Sequence, residues 1–163
     1  MRQTLYLRVV AATASCMALG LSTPSFAEPR GGFAALAGSG TGSGYVESSG
    51  GKEAIRCRAR YQVGSAGSSL DQRLVCASAS FQFNIESQAT VANERVSGSW
   101  SETTRGVTGE VSGTLRAGQL EGTVRSPLFT ANLGVFTRGN NQDVVILPEA
   151  SDVRRVSVQM RRS

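Results

Sequence analysis

From about Gly38 to the C-terminus, apolar and polar residues alternate with a period of two, interrupted by turn-forming residues about every ten positions. This pattern constrains the chain more than any other feature. It places one set of side chains on each face of a sheet, and a sheet with one apolar face must bury it. Breaks fall at Ser48-Ser49-Gly50-Gly51, Gly64–Ser69, Ala92-Asn93-Glu94, Thr104-Arg105-Gly106, Ala117-Gly118, Ser126-Pro127, Gly139-Asn140-Asn141 and Pro148–Asp152. The spacing predicts strands over 39–47, 53–63, 70–78, 81–91, 95–103, 107–116, 119–126, 129–138, 142–147 and 153–161. No later segment carries helical spacing of any length. Phe33–Ala37 allows one helical turn, within a stretch 28–38 that reads as a flexible leader to a β-domain over 39–163.

Two cysteines fix one hairpin. Cys57 and Cys76 lie in neighbouring alternating segments separated by Gly64-Ser65-Ala66-Gly67-Ser68-Ser69. A register centred on Ala66–Gly67 opposes Cys57 to Cys76, Ala59 to Leu74 and Val63 to Leu70, so one register gives both a disulfide and an apolar face. Such a cross-link, closing a loop of about 18 residues, contributes roughly 3 kcal/mol in the chain-entropy picture. Redox chemistry instead wants two thiols close in sequence at a helix start, so the pair reads as structural.

A second pattern, apolar-x-Gly-x-apolar, recurs at Val96–Trp100, Val111–Leu115 and Leu120–Val124. In each, the glycine shares a face with the apolar residues, as strongly curved sheets require. A register around Ala117–Gly118 opposes Leu115 to Leu120, Gly113 to Gly122 and Val111 to Val124. Alanine is a poor residue for the tightest hairpin turn, which favours a slightly longer loop there. Consecutive hairpins, curvature glycines and the lack of long crossovers predict an all-β fold, a single antiparallel up-and-down barrel of about 8–10 strands. A β-sandwich is the alternative. Arg56, Arg58, Glu110 and Glu121 on the outward face argue against a lipid-facing barrel.

The N-terminus reads as a secretory signal. Arg2 and Arg8 precede an apolar run from Val9 to Leu21, Pro24 ends any helix there, and Ser25-Phe26-Ala27 suits cleavage after Ala27. Residues 1–27 are thus expected to leave, making the mature chain periplasmic or secreted, with no transmembrane segment. Of 17 basic residues Arg2 and Arg8 leave, so 15 basic face 12 acidic and the net charge is +3. That balance is too mild for nucleic acid as a partner. Two remaining cysteines in an oxidising compartment read as one bond.

The chain contains no histidine. Zinc, copper and haem lose their commonest ligand, and Ser–His or Cys–His nucleophile systems are excluded. No metal and no cofactor are expected, and no catalytic residue is assigned. A hydrolase built on two carboxylates is the residual chemistry, but Glu86, Glu102, Glu110 and Glu121 fall on or near the solvent side. The chain is read as a non-enzyme.

Two binding regions stand out. Arg56, Arg58 and Arg60 alternate with inward residues on one outer strand face, with Arg73 across from Arg60. Four guanidiniums there fit phosphate or carboxylate groups, as on anionic envelope lipid, lipopolysaccharide or an acidic envelope protein. Inside, Tyr61, Phe81, Phe83, Trp100 and Phe129 share the inward face with Gly98, Gly109, Gly113 and Gly122, which either fill the lumen or line a pocket for a small apolar ligand.

The run Ile55-Arg56-Cys57-Arg58-Ala59-Arg60-Tyr61, followed by Leu74-Val75-Cys76-Ala77-Ser78, resembles a signature of small exported alphaproteobacterial proteins, and the similarity continues through Gly98-Ser99-Trp100-Ser101-Glu102 over most of the mature chain. The resemblance implies an exported β-domain and carries no catalytic residues. The meander is also similar to lipocalin-like barrels, although the lipocalin Gly-x-Trp near the first strand is missing, so that likeness is architectural. The leading expectation is a periplasmic barrel of the cell envelope that binds an anionic envelope component or a protein partner without chemistry. The alternative is a lipocalin-like carrier of a small apolar ligand.

Overall fold

The computed structural model describes residues 31–80 and 82–163. The expected signal segment 1–27 and the lumen candidate Phe81 lie outside the described residues. Ten antiparallel strands form a closed barrel: β1 (Gly38–Ser48), β2 (Gly51–Gly64), β3 (Ser69–Ala77), β4 (Gln82–Ala92), β5 (Arg95–Glu102), β6 (Val107–Arg116), β7 (Gln119–Arg125), β8 (Thr130–Arg138), β9 (Asn141–Glu149) and β10 (Val153–Arg162). Each strand pairs with its sequence neighbours, and β1 closes the ring against β10. The up-and-down barrel holds and the sandwich alternative falls.

The registers follow the alternation. Cys57 pairs with Cys76, Ala59 with Leu74, Val63 with Leu70 and Arg60 with Arg73. The cysteines are bonded, with Cα atoms 4.1 Å apart. Leu115 opposes Leu120 and Gly113 opposes Gly122. The loop between β6 and β7 is tighter than expected: Ala117 (φ 46°) and Gly118 (φ 81°) form a two-residue turn. The strand twist on both sides overrides alanine's dislike of that conformation.

Closure has a visible cause in β1. Its inward positions Gly40, Gly42 and Gly44 lie so close to β10 that an added Cβ would meet the carbonyl oxygens of Arg161, Gln159 and Ser157. Only hydrogen at these positions lets β1 seal the ring.

One end of the barrel is stoppered. The 3-10 turn Gly32–Leu36 carries Phe33, 1 % exposed, into a cluster with Leu70, Val96 and Leu115. Arg162 donates to the carbonyls of Ala35, Ala37 and Gly139 and to Asn140 Oδ1, tying the turn to the rim. Residues 32–38 are therefore not a flexible leader but a plug and the start of β1. A five-residue turn has too little periodicity to announce its burial. Around the disulfide a second cluster gathers Val46, Ile55, Cys57, Ala59, Cys76, Val158 and Met160. Among the described residues no helix is long and apolar enough to cross a membrane.

Candidate functional site

The two clusters fill the plug end and the β1–β2–β3–β10 side of the lumen. They do not fill the rest. On β4 to β9 the inward apolar side chains Ile85, Trp100, Val124, Leu133 and Ile146 are only half-buried. All share the parity of buried neighbours such as Val96, Val111 and Ala131, so they face inward. These inward-facing apolar side chains are the less tightly buried part of the lumen. The end of the barrel opposite the plug carries the turns 103–106 and 126–129.

Glycine lets the strands of this half approach closely: an added Cβ on Gly98, Gly109, Gly113 or Gly122 would meet a carbonyl oxygen of the neighbouring strand. Gly98, Gly109, Gly113 and Gly122 occupy inward positions on β5, β6 and β7. A Cβ on Gly109 would lie 2.8 Å from the Trp100 ring and against the carbonyl of Arg125. The indole therefore rests flat over the backbone of β6 instead of crossing the lumen. Its Nε1 donates to the Glu110 carbonyl at 3.2 Å, and its ring meets Phe129 at a centroid distance of 5.9 Å.

The expected aromatic lining does not form one patch. Trp100 and Phe129 are together at the end opposite the plug. Phe83 lies opposite Cys76 beside the disulfide cluster, with the Arg105 guanidinium 5.2 Å from its ring centroid. Tyr61 lies towards the plug, where its hydroxyl donates to Gln142 Oε1 at 2.8 Å. Burial pushes the Tyr61 phenol up to about 12. Gln142, itself buried, donates on to Thr137. A further inward polar pair, Ser87 to Gln72 at 2.9 Å, lies between Trp100 and Tyr61. These polar residues escaped the sequence reading, although Gln72 has the same parity as Leu70 and Leu74.

Charge is confined to the ends of the lumen. Arg162 serves the plug. Glu102, expected near the solvent, is instead 6 % exposed at the inward end of β5. Burial, the largest influence, raises its carboxyl, but donors from Asn84, Thr104 and Arg105 outweigh it and bring the group to about 2. The three backbone N–H contacts measure 3.1, 3.0 and 2.8 Å. Glu102 is thus a stitch between β4 and the β5–β6 turn. A carboxylate so tied is held in its ionised form and serves as an acceptor for the backbone around it.

The outer arginines lie as their alternation requires. Arg56, Arg58, Arg60 and Arg73 are all exposed on the outer wall. Arg73 is partly engaged by Glu86 at 3.5 Å.

No protein-family model and no curated protein matches the chain. Among solved structures the barrel is similar to the S-type phycobiliprotein lyase CPES from Guillardia theta, with a TM-score of 0.57 at 10% identity, over 83% of this chain and 95% of that one. The likeness concerns the fold. It also corrects the reading as a non-enzyme: a barrel of this architecture is described as a lyase, so neither the fold nor the lack of histidine disposes of chemistry. That negative expectation is withdrawn.

Proposed function

We propose that the chain binds a small, largely apolar ligand in the less tightly buried half of its lumen, in the manner of a lipocalin-like barrel. The observation that carries this reading is the set of half-buried apolar side chains facing inward on β4 to β9, beside inward glycines on β5 to β7 that add no side chain to the lumen. A ligand there would lie on Leu133, Ile146 and Val124, against the Trp100 face, and could reach the Gln72–Ser87 pair with a polar group. Among the described residues no inward charge lies between the Glu102 and Arg162 ends, so the buried part of the ligand is uncharged. The disulfide fits an exported chain, and periplasmic residence fits both the signal-like N-terminus and the resemblance to exported alphaproteobacterial proteins. Native mass spectrometry of protein purified from its own cell envelope tests the reading. A co-purifying small molecule, lost in a Val124→Phe/Ile146→Phe variant, supports it, and a clean apo mass that no apolar compound shifts refutes it.

A second reading concerns the outer wall. Among the described residues Arg56, Arg58 and Arg60 have no carboxylate partner, and this favours an anionic envelope component as a second ligand.

A further inference from the structure

Between Ser39 and Ser43 the outer face of β1 carries nothing larger than threonine. Cationic and amide side chains rise on both sides of it. Thr41 pairs with Arg58 on β2 and with Arg161 on β10; Ser43 pairs with Arg56 and with Gln159. The inward glycines of β1 hold this strand tight against β10, so the low strand becomes the floor of a trough of about 660 Å³. Arg56, Arg161, Gln159, Asn141 and Asp143 contribute to its walls.

Strands lie roughly 4.8 Å apart, so Arg58 and Arg161 flank Thr41 with backbones on the order of 10 Å apart, and successive arginines on β2 stand roughly 7 Å apart. Among the described residues none of Arg56, Arg58, Arg60 and Arg161 has a carboxylate within ion-pair distance, whereas Arg73, Arg105 and Arg116 do. Arg56 and Arg161, unneutralised on two sides of the trough and with Arg58 and Arg60 further along β2, repel one another, and an anion between them relieves that repulsion.

We infer that this trough binds an acidic glycan, a linear chain of sugars carrying carboxylate, phosphate or sulfate groups. The inference rests on the anion-binding reading of the outer wall and narrows it. Guanidiniums pair with each of these anions in a bidentate manner. Ser39, Thr41, Ser43, Gln159 and Asn141 offer neutral donors and acceptors, which sugar hydroxyls use and a bare phosphate does not need. A concave floor one strand wide admits a single chain, while a bilayer surface is flat and would meet only the trough's rims. Single-stranded nucleic acid has a suitable charge spacing but relies on aromatic faces for its bases. The aromatic on the outer face of β1, Tyr45, is already covered by the Lys52 ammonium, 3.4 Å from the ring centroid.

Calorimetric titration of the full mature chain with a heparin-derived hexasaccharide and with hexagalacturonate tests this. Inorganic sulfate, phosphatidylglycerol vesicles and oligothymidylate are the competitors. At least one glycan is expected to bind more tightly than all three. Losing two charge-assisted contacts in Arg56→Ser/Arg161→Ser weakens it about tenfold or more. Arg125→Ser, a loss of one guanidinium on β7 outside the trough, leaves it unchanged. Thr41→Phe raises the floor with every charge in place, and is expected to abolish glycan binding while sulfate still binds. Equal or tighter binding of sulfate, vesicles or oligothymidylate overturns the glycan and leaves an anion site. A matching loss in Arg125→Ser overturns the location. Failure of every anion overturns both readings of the outer wall, and neither result touches the lumen.

Discussion

Trp100 lies directly opposite Gly109, and its indole occupies the space that a side chain on Gly109 would need. The pair sets the width of the lumen, because the largest aromatic of the inward face is laid along the wall and not across the channel. Gly109→Ala must push the indole off the wall or separate β6 from β7, since the new methyl also meets the Arg125 carbonyl. Overpacking of this kind destabilises by about 1–3 kcal/mol. Urea denaturation followed by circular dichroism should show that loss, together with a shifted Trp100 emission.

Replacing the bonded pair, Cys57→Ala/Cys76→Ala, should lower stability by roughly 3 kcal/mol through the freed loop alone. The folded barrel should keep its strand spectrum, because the pair is surrounded by Ile55, Ala59, Val158 and Met160. Comparing denaturation of the oxidised wild type with that of the variant measures the effect.

The plug is held by one ring and one guanidinium. Phe33→Ala removes the largest fully buried side chain among the described residues and should cost about 3 kcal/mol or more. Arg162→Ala deletes four hydrogen bonds at the same rim. Hydrogen exchange should rise for both variants around the β2–β3 turn, against which the plug packs, and stay low near the disulfide.

Two titrating groups bound the pH range of stability. Glu102 is held at about 2 against an ordinary 4.5. Its contribution is complete above the ordinary value and fades as pH falls towards 2. Tyr61 is held at about 12 against an ordinary 10. Its contribution is complete below pH 10 and is lost as pH rises through 12. Wild type should therefore exceed Glu102→Gln in denaturation midpoint near neutral pH, with the gap closing in acid. Tyr61→Phe should flatten the alkaline fall.

Strand positions and registers were legible because parity is a local property. Cys57 against Cys76 and Leu115 against Leu120 need only a hairpin and an alternating pattern. Three features were hidden for distinct reasons. Phe33 belongs to a turn too short to show a period. Glu102 continues the inward series of Val96, Gly98 and Trp100, but its chemistry pointed to solvent; the backbone donors that satisfy it belong to a folded turn. Arg161 joins Arg58 only through closure of β1 on β10, a pairing between the two ends of the chain. Tyr61, Phe83, Trp100 and Phe129 share the inward parity but do not group together, because parity gives the face and says nothing about depth along the barrel.

Trp100 is the single tryptophan of the chain and faces the lumen. Its fluorescence, titrated with the neutral apolar probe N-phenyl-1-naphthylamine, reads lumen occupancy directly. Saturable quenching at one probe per chain is expected, with energy transfer to the probe and loss of both signals in Val124→Phe/Ile146→Phe. Emission that stays unchanged up to the solubility limit of the probe, in a chain that still gives the folded strand spectrum, would show that the lumen is closed to apolar ligands.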